Sequence, residues 1–350
     1  MTTMTGKSLI AGEWLTPGGK TFHSFNPYTG ETFNAFNSCG AAEVDVALAA
    51  AAEAYQHMRQ MDGTAVAAFL EALADEIEAL GDELLETCDA ETGLGRVRLT
   101  GERGRTTGQI RAFAAIAAKG EWVEASIDTA IPDRLPVPKP DLRRMMQGIG
   151  PVAVFGASNF PFAFSVAGGD TASALAAGNP VVVKGHPAHP ATSELFARAF
   201  ERAIERTGFP PGVFSLLQSA DHEVGVELAK HPAVQAIGFT GSLRGGRALM
   251  DLAAARPQPI PVYAEMGSVN PVFLGPNTLA NTRDAIAAGL SGSVCMGTGQ
   301  FCTSPGLAIL VEDDGFEEAM RNAMNAAPRG HLLNPGIRDA LATGLERLQA

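Results

Sequence analysis

A single cysteine, Cys302, sits in the stretch GTGQFCTSPG at residues 297–306. Gly297 and Gly299 have the G-x-G spacing of a dinucleotide-binding loop, but Cys302 occupies the place of the third glycine. The residues before it, 283–296, are helical in pattern, so the glycines do not follow a strand as that fingerprint requires. Glycines here instead permit a sharp turn that presents the thiol together with its own N–H. A thiol with access and a lowered pKa is a nucleophile; the alternative is a buried, inert cysteine. Cys295, earlier on the same helical stretch, reads as a packing residue.

Other residues carry chemistry at the ends of apolar runs. In YAEMGSVNP, Glu265 directly follows what reads as a buried strand, where sites form in open α/β sheets. It is either a site residue or a helix cap or surface charge. In FGASNFPFAF, Asn159 follows another strand; its amide suits a developing oxyanion, and an Asx turn before Pro161 is the other reading. Lys184 ends the strand of VVVKGHPAHP, and Gly241 and Ser242 of GFTGSLRGG open a helix whose free N–H groups suit an anion such as a pyrophosphate.

The elements that must position these residues are legible from period and punctuation. Residues 8–36 read as short strands with turns at TPGG and NPYTG, followed by two alanine-rich helices. In the second, Val66, Phe69, Leu70, Leu73, Ile77 and Leu80 share one face. Proline-broken, polar residues 131–146 predict a bridging ribbon or arm. From residue 151 apolar strands alternate with helices, at 163–177, 191–206, 222–230 and 243–254. Such alternation predicts a doubly wound, Rossmann-like parallel sheet with right-handed crossovers.

Composition narrows the classes of function. With 350 residues the chain can form two domains and a large core. A net charge of −12 without a basic run argues against a nucleic-acid partner. No apolar run is long enough to span a membrane, and the N-terminus has no signal-like apolar core, so a cytoplasmic protein is expected. The cysteines Cys39, Cys88, Cys295 and Cys302 form no C-x-x-C pair and no metal set with histidines, so reduced thiols and no metal are expected.

Taken in order, SNFPFAF, VVVKGHPAHP, GFTGS, EMGSVNP and GQFCT resemble the aldehyde dehydrogenase superfamily over essentially the whole chain. The stretch from FGASNFPFAF to VVVKGHPAHP is most similar to the branch acting on α-ketoglutaric semialdehyde, with bacterial fatty-aldehyde dehydrogenases as close relatives. The resemblance implies NAD(P)-dependent oxidation of an aldehyde to an acid through a cysteine thiohemiacetal and thioester. It implies Cys302 as nucleophile, Asn159 as oxyanion donor and Glu265 as the base that activates water. Lys184, His186, Gly241, Ser242 and Gly246 are the implied cofactor contacts. Arg105, Gln109, Phe164 and Phe301 are expected to line the substrate tunnel, with a solvated surface charge as the other reading of Arg105. It further implies a homo-oligomer, dimer or tetramer, when full length. The implied domains are 1–130 with 151–264 for the cofactor, 131–150 as bridging ribbon, and 265–350 as the N-terminal part of a catalytic domain.

Three departures from the family pattern matter. Its E-L-G-G-K becomes Glu265-Met266-Gly267-Ser268-Val269. Pro187 stands where many NAD-preferring members carry a ribose-chelating glutamate, which admits NADP, with Lys184 and His186 as phosphate partners, as well as NAD. The family's later E-E-x-F-G-P segment and closing strand fall beyond residue 350, which is how a chain cut from a longer protein reads. Three functional readings therefore stay open: the semialdehyde dehydrogenase, a medium- or long-chain aldehyde dehydrogenase, and a catalytically silent cofactor-binding fragment.

Overall fold

The computed structural model describes residues 4–311 and 315–349. The chain opens with two antiparallel hairpins, β1 (Ser8–Ile10) with β2 (Glu13–Leu15) and β3 (Thr21–Phe25) with β4 (Thr32–Asn37). Helices α1 (Ala41–Met58), α2 (Gly63–Ala79), α3 (Gly81–Thr92) and α4 (Arg96–Lys119) follow. The six apolar residues predicted to share a face of α2 and its C-cap are all buried. Next, β5 (Ser126–Asp128) and β6 (Leu142–Arg144) form an exposed antiparallel pair.

The remaining elements alternate. They are β7 (Val152–Phe155), α5 (Gly169–Ala176), β8 (Val181–Lys184), α6 (Pro190–Thr207), β9 (Phe214–Leu217), α7 (Glu223–Lys230), β10 (Ala236–Thr240), α8 (Leu243–Ala254) and β11 (Val262–Glu265). Their strands pair in parallel in the order β11-β10-β7-β8-β9. The expected doubly wound sheet is thus present, with its topological switch point between β7 and β10. Strand alternation covers both faces. Val152 and Val154 enter a core with α2–α6, while Ala153 and Phe155 enter a second core with α1, α7 and α8.

Beyond the sheet, β12 (Pro271–Leu274) and β13 (Leu307–Leu310) pair in parallel, connected through α9 (Pro276–Cys295). With α10 (Phe316–Ala326) they enclose a small core around Leu274, Leu279, Ala287 and Phe316. Helix α11 (Pro335–Gln349) closes the described chain. Among the described residues no helix is long and apolar enough to cross a membrane.

Several sequence expectations are corrected. The helix expected from residue 163 begins only at Gly169. Buried Glu102 accepts the N–H groups of Phe162 and Ala163 at 2.9 and 3.1 Å, so this stretch is held as a turn by a side chain from α4. Helix α4 itself runs through the glycine-rich residues 96–108. Gly101, Gly104 and Gly108 face open space, while Leu99, Glu102, Thr106, Thr107 and Ile110 bury the opposite side. Tertiary packing there outweighs the cost of glycine, about 1 kcal/mol each relative to alanine. Strand β11, read as buried, is the sheet's edge, and Tyr263 is 68% exposed.

Candidate active site

The turn after α9 delivers the thiol. Gly297, Thr298 and Gly299 have φ of 57, 60 and 75°, a run of left-handed residues that reverses the chain. A Cβ on Gly297 would lie 2.6 Å from the Phe301 ring and 3.0 Å from Nη1 of Arg98, so glycine is required by conformation and by space. Cys302 emerges half-buried, and its backbone N–H has no acceptor among the described residues. Cys295, at the end of α9, places Sγ 3.7 Å from Sδ of Met324 on α10, a packing contact.

Two asparagine amides grip this segment. Asn159, after β7, donates through Nδ2 to the carbonyl of Gln300 at 2.7 Å. A primary amide has two N–H groups, so one remains for an oxyanion. Asn270, just before β12, donates to the carbonyls of Cys302 and Ser304 at 2.7 and 3.1 Å. The sequence reading overlooked Asn270, although an asparagine before proline at a strand start is a turn signal.

Glu265 ends β11. Its carboxylate is exposed and has no hydrogen bond or ion pair among the described residues, while its carbonyl accepts the Gly241 N–H at 3.0 Å. Burial, and then the Glu265 charge, raise the carboxyl of Asp170 on α5. The Asp170 carboxyl lies against Gly238 of β10, where a Cβ would come within 3.1 Å of it. The structure joins Glu265 to the thiol segment through residues 266–270 and the amide of Asn270.

The cofactor contacts named from sequence separate into different kinds. Lys184 ends β8 and donates to the Ser219 carbonyl at 2.8 Å; burial pulls its ammonium down to about 8, against the opposing charge of Asp221. His186 accepts the Ala188 N–H at Nδ1 (3.1 Å), and burial, His189 and Lys184 hold it well below the ordinary imidazole range. Ser242 caps α8 by accepting the Gly245 N–H at 3.1 Å. The Gly241 N–H is already committed to Glu265, so this glycine joins β10 to β11. Gly246 is buried, and a Cβ there would strike Sδ of Met266 at 2.6 Å. The N–H groups of Leu243 and Arg244 have no acceptor among the described residues. A switch-point crevice, a helix N-terminus with open N–H groups and a lysine with donors to spare fit an anionic dinucleotide.

The remaining wall is aromatic. Phe160 lies 4.8 Å from Phe301 and 5.3 Å from Phe164, centroid to centroid. Arg105 of α4, exposed and without an ion pair among the described residues, sits 4.9 Å over Phe164 and 5.9 Å over Phe160. Gln109, one turn on, lies 3.2 Å from where a Cβ of Gly169 would stand. Arg98 sits 4.9 Å over Phe160 and 4.5 Å over Phe301 and donates to the Asn159 carbonyl. Arg98, Glu102 and Phe160 were not singled out in the sequence, though Arg98, Glu102 and Arg105 have the spacing of one helical face.

The sequence model of the aldehyde dehydrogenase family matches residues 14–339. The chain is 52% identical over 350 residues to alpha-ketoglutaric semialdehyde dehydrogenase 2 of Azospirillum brasilense, covering 99% of this chain and 67% of that protein. It is 45% identical over 355 residues to the alpha-ketoglutaric semialdehyde dehydrogenase of Acinetobacter baylyi, covering 99% and 66%. The chain thus spans about two thirds of the length of these relatives. An NAD-dependent benzaldehyde dehydrogenase from Corynebacterium glutamicum superposes with a TM-score of 0.84 at 25% identity, covering 99% of this chain and 74% of that one.

Proposed function

The chain belongs to the aldehyde dehydrogenase family, and on that premise we propose that it oxidises α-ketoglutaric semialdehyde to α-ketoglutarate with NAD(P). The observation that carries this reading is the clamp on the thiol segment, Asn159 to Gln300 and Asn270 to Cys302, which anchors the nucleophile beside an amide donor. The names of the relatives at 52% and 45% identity support the substrate.

In the mechanism, Sγ of Cys302 attacks the aldehyde carbon and forms a thiohemiacetal. The free N–H of the Asn159 amide and the Cys302 N–H stabilise its oxyanion. When bound, the nicotinamide supplies the hydride acceptor that oxidises this adduct to a thioester. Glu265 takes a proton from water as the water adds to the acyl carbon, and the Cys302 thiolate leaves with release of the acid. An exposed carboxylate, unpaired among the described residues, is free to do this.

Arg105 receives the distal carboxylate of the semialdehyde, with Gln109 beside it and Phe164 and Phe301 lining the approach. Lys184, Ser242 and the open N–H groups of α8 hold the cofactor. Pro187 places no carboxylate at the adenosine ribose, which favours NADP while admitting NAD. We take 1–130 with 151–264 as the cofactor domain and 265–350 as part of the catalytic domain. Residues 131–150 form a ribbon whose exposed Leu135, Val137 and Leu142 suit association between copies. Nicotinamide reduction across α-ketoglutaric semialdehyde, hexanal and a long-chain aldehyde tests the proposal. Turnover of the semialdehyde above the others supports it, and equal or greater turnover of the fatty aldehydes overturns the substrate.

A further inference from the structure

We propose that Arg98 is a positioning residue that locks the amide donor and the nucleophile segment into one register, with Glu102 holding the far side of the same turn. The guanidinium packs against two adjoining rings, 4.9 Å from Phe160 and 4.5 Å from Phe301, and donates to the carbonyl of Asn159. Phe160 follows Asn159, and Phe301 precedes Cys302. One planar cation therefore spans the residue beside the oxyanion donor and the residue beside the thiol. A flat, delocalised guanidinium can stack on two ring faces, which a lysine ammonium does not reproduce.

Glu102, one turn along α4, completes the device. Its Oε1 accepts the N–H groups of Phe162 and Ala163 at 2.9 and 3.1 Å, and its Oε2 lies 3.8 Å from Nη2 of Arg98. The turn bearing Asn159 is thus pinned at both ends by one helix face. Nη1 of Arg98 is buried and has no hydrogen-bond partner among the described residues, 3.0 Å from where a Cβ of Gly297 would stand. The missing Cβ at Gly297 leaves room for this guanidinium as well as for the Phe301 ring, 2.6 Å from the same point.

The inference rests on the aldehyde-oxidation reading of the site, and its test has one arm independent of turnover. In Arg98→Lys and Arg98→Ala, hydrogen–deuterium exchange of the 297–304 peptide is expected to rise several-fold, with exchange in β7 and α6 unchanged. Turnover is expected to fall about 10²-fold in kcat with little change in KM, the loss typical of reacting groups displaced by about an ångström. Millimolar guanidinium is expected to restore part of the kcat of Arg98→Ala. Unchanged exchange at 297–304 in Arg98→Lys, or a loss confined to KM, overturns the proposal. Should Arg98→Ala unfold, Arg98→Lys decides. If the wild-type chain oxidises no aldehyde, the functional reading fails separately and the exchange arm still judges Arg98.

Discussion

The side chain of Asn270 donates to the carbonyl of Cys302 at 2.7 Å and to that of Ser304 at 3.1 Å, tying the loop after Glu265 to the thiol. Asn270 has φ of 48°, a left-handed conformation that asparagine tolerates better than most residues. Asn270→Ala leaves two carbonyls without this donor and is expected to destabilise by about 1–3 kcal/mol. Aldehyde oxidation should drop about tenfold or more as the thiol segment loosens. Urea unfolding and steady-state kinetics on the same preparation check both effects; wild-type values in each would remove Asn270 from the site.

Cys302→Ala is expected to abolish aldehyde oxidation while leaving cofactor affinity nearly intact, because the thiol meets only the acyl carbon. Cys295→Ala should change little, since its sulfur packs on Met324. Equal losses in the two variants would show that the nucleophile has been misassigned.

Glu265→Gln should stall the reaction after the oxidation step. Rapid mixing is expected to give a burst of reduced cofactor followed by slow turnover as thioester accumulates. Unchanged steady-state turnover would exclude this carboxylate as the base.

Arg105→Ala is expected to raise KM for the semialdehyde about tenfold or more, since a charge-assisted bond contributes roughly 1.5–3 kcal/mol. Hexanal, with no carboxylate, should be almost unaffected. Parallel losses on both substrates would return Arg105 to a role of stacking on Phe164.

Lys184 carries a pH prediction. Burial lowers its ammonium to about 8, so the cation is present below that pH and is lost as pH rises through it. Affinity for the anionic cofactor should weaken on the alkaline side of this value. Lys184→Met should bind more weakly at lower pH and lack that alkaline decline. Fluorescence titrations of NADPH on either side of pH 8 check the sign, and a decline of equal size in the variant would assign it elsewhere.

The sequence by itself determined the alternation that yields the parallel sheet, the one-sided burial of α2, and the order of Asn159, Lys184, Gly241, Glu265 and Cys302 along the chain. Those features are local: a period of 2 or 3.6, or a polar residue at the end of an apolar run, is written in neighbouring residues. Only the tertiary structure decided that α4 runs through its glycines, because the burial that sustains it comes from α2, α3 and α5. It alone revealed that one N–H of Asn159 is spent on Gln300, 141 residues away. It also showed that the space beside Gly297 is bounded by the Arg98 guanidinium from a distant helix as well as by the nearby Phe301 ring. Contacts between segments so far apart depend on how packed elements meet, and no short-range pattern encodes that meeting.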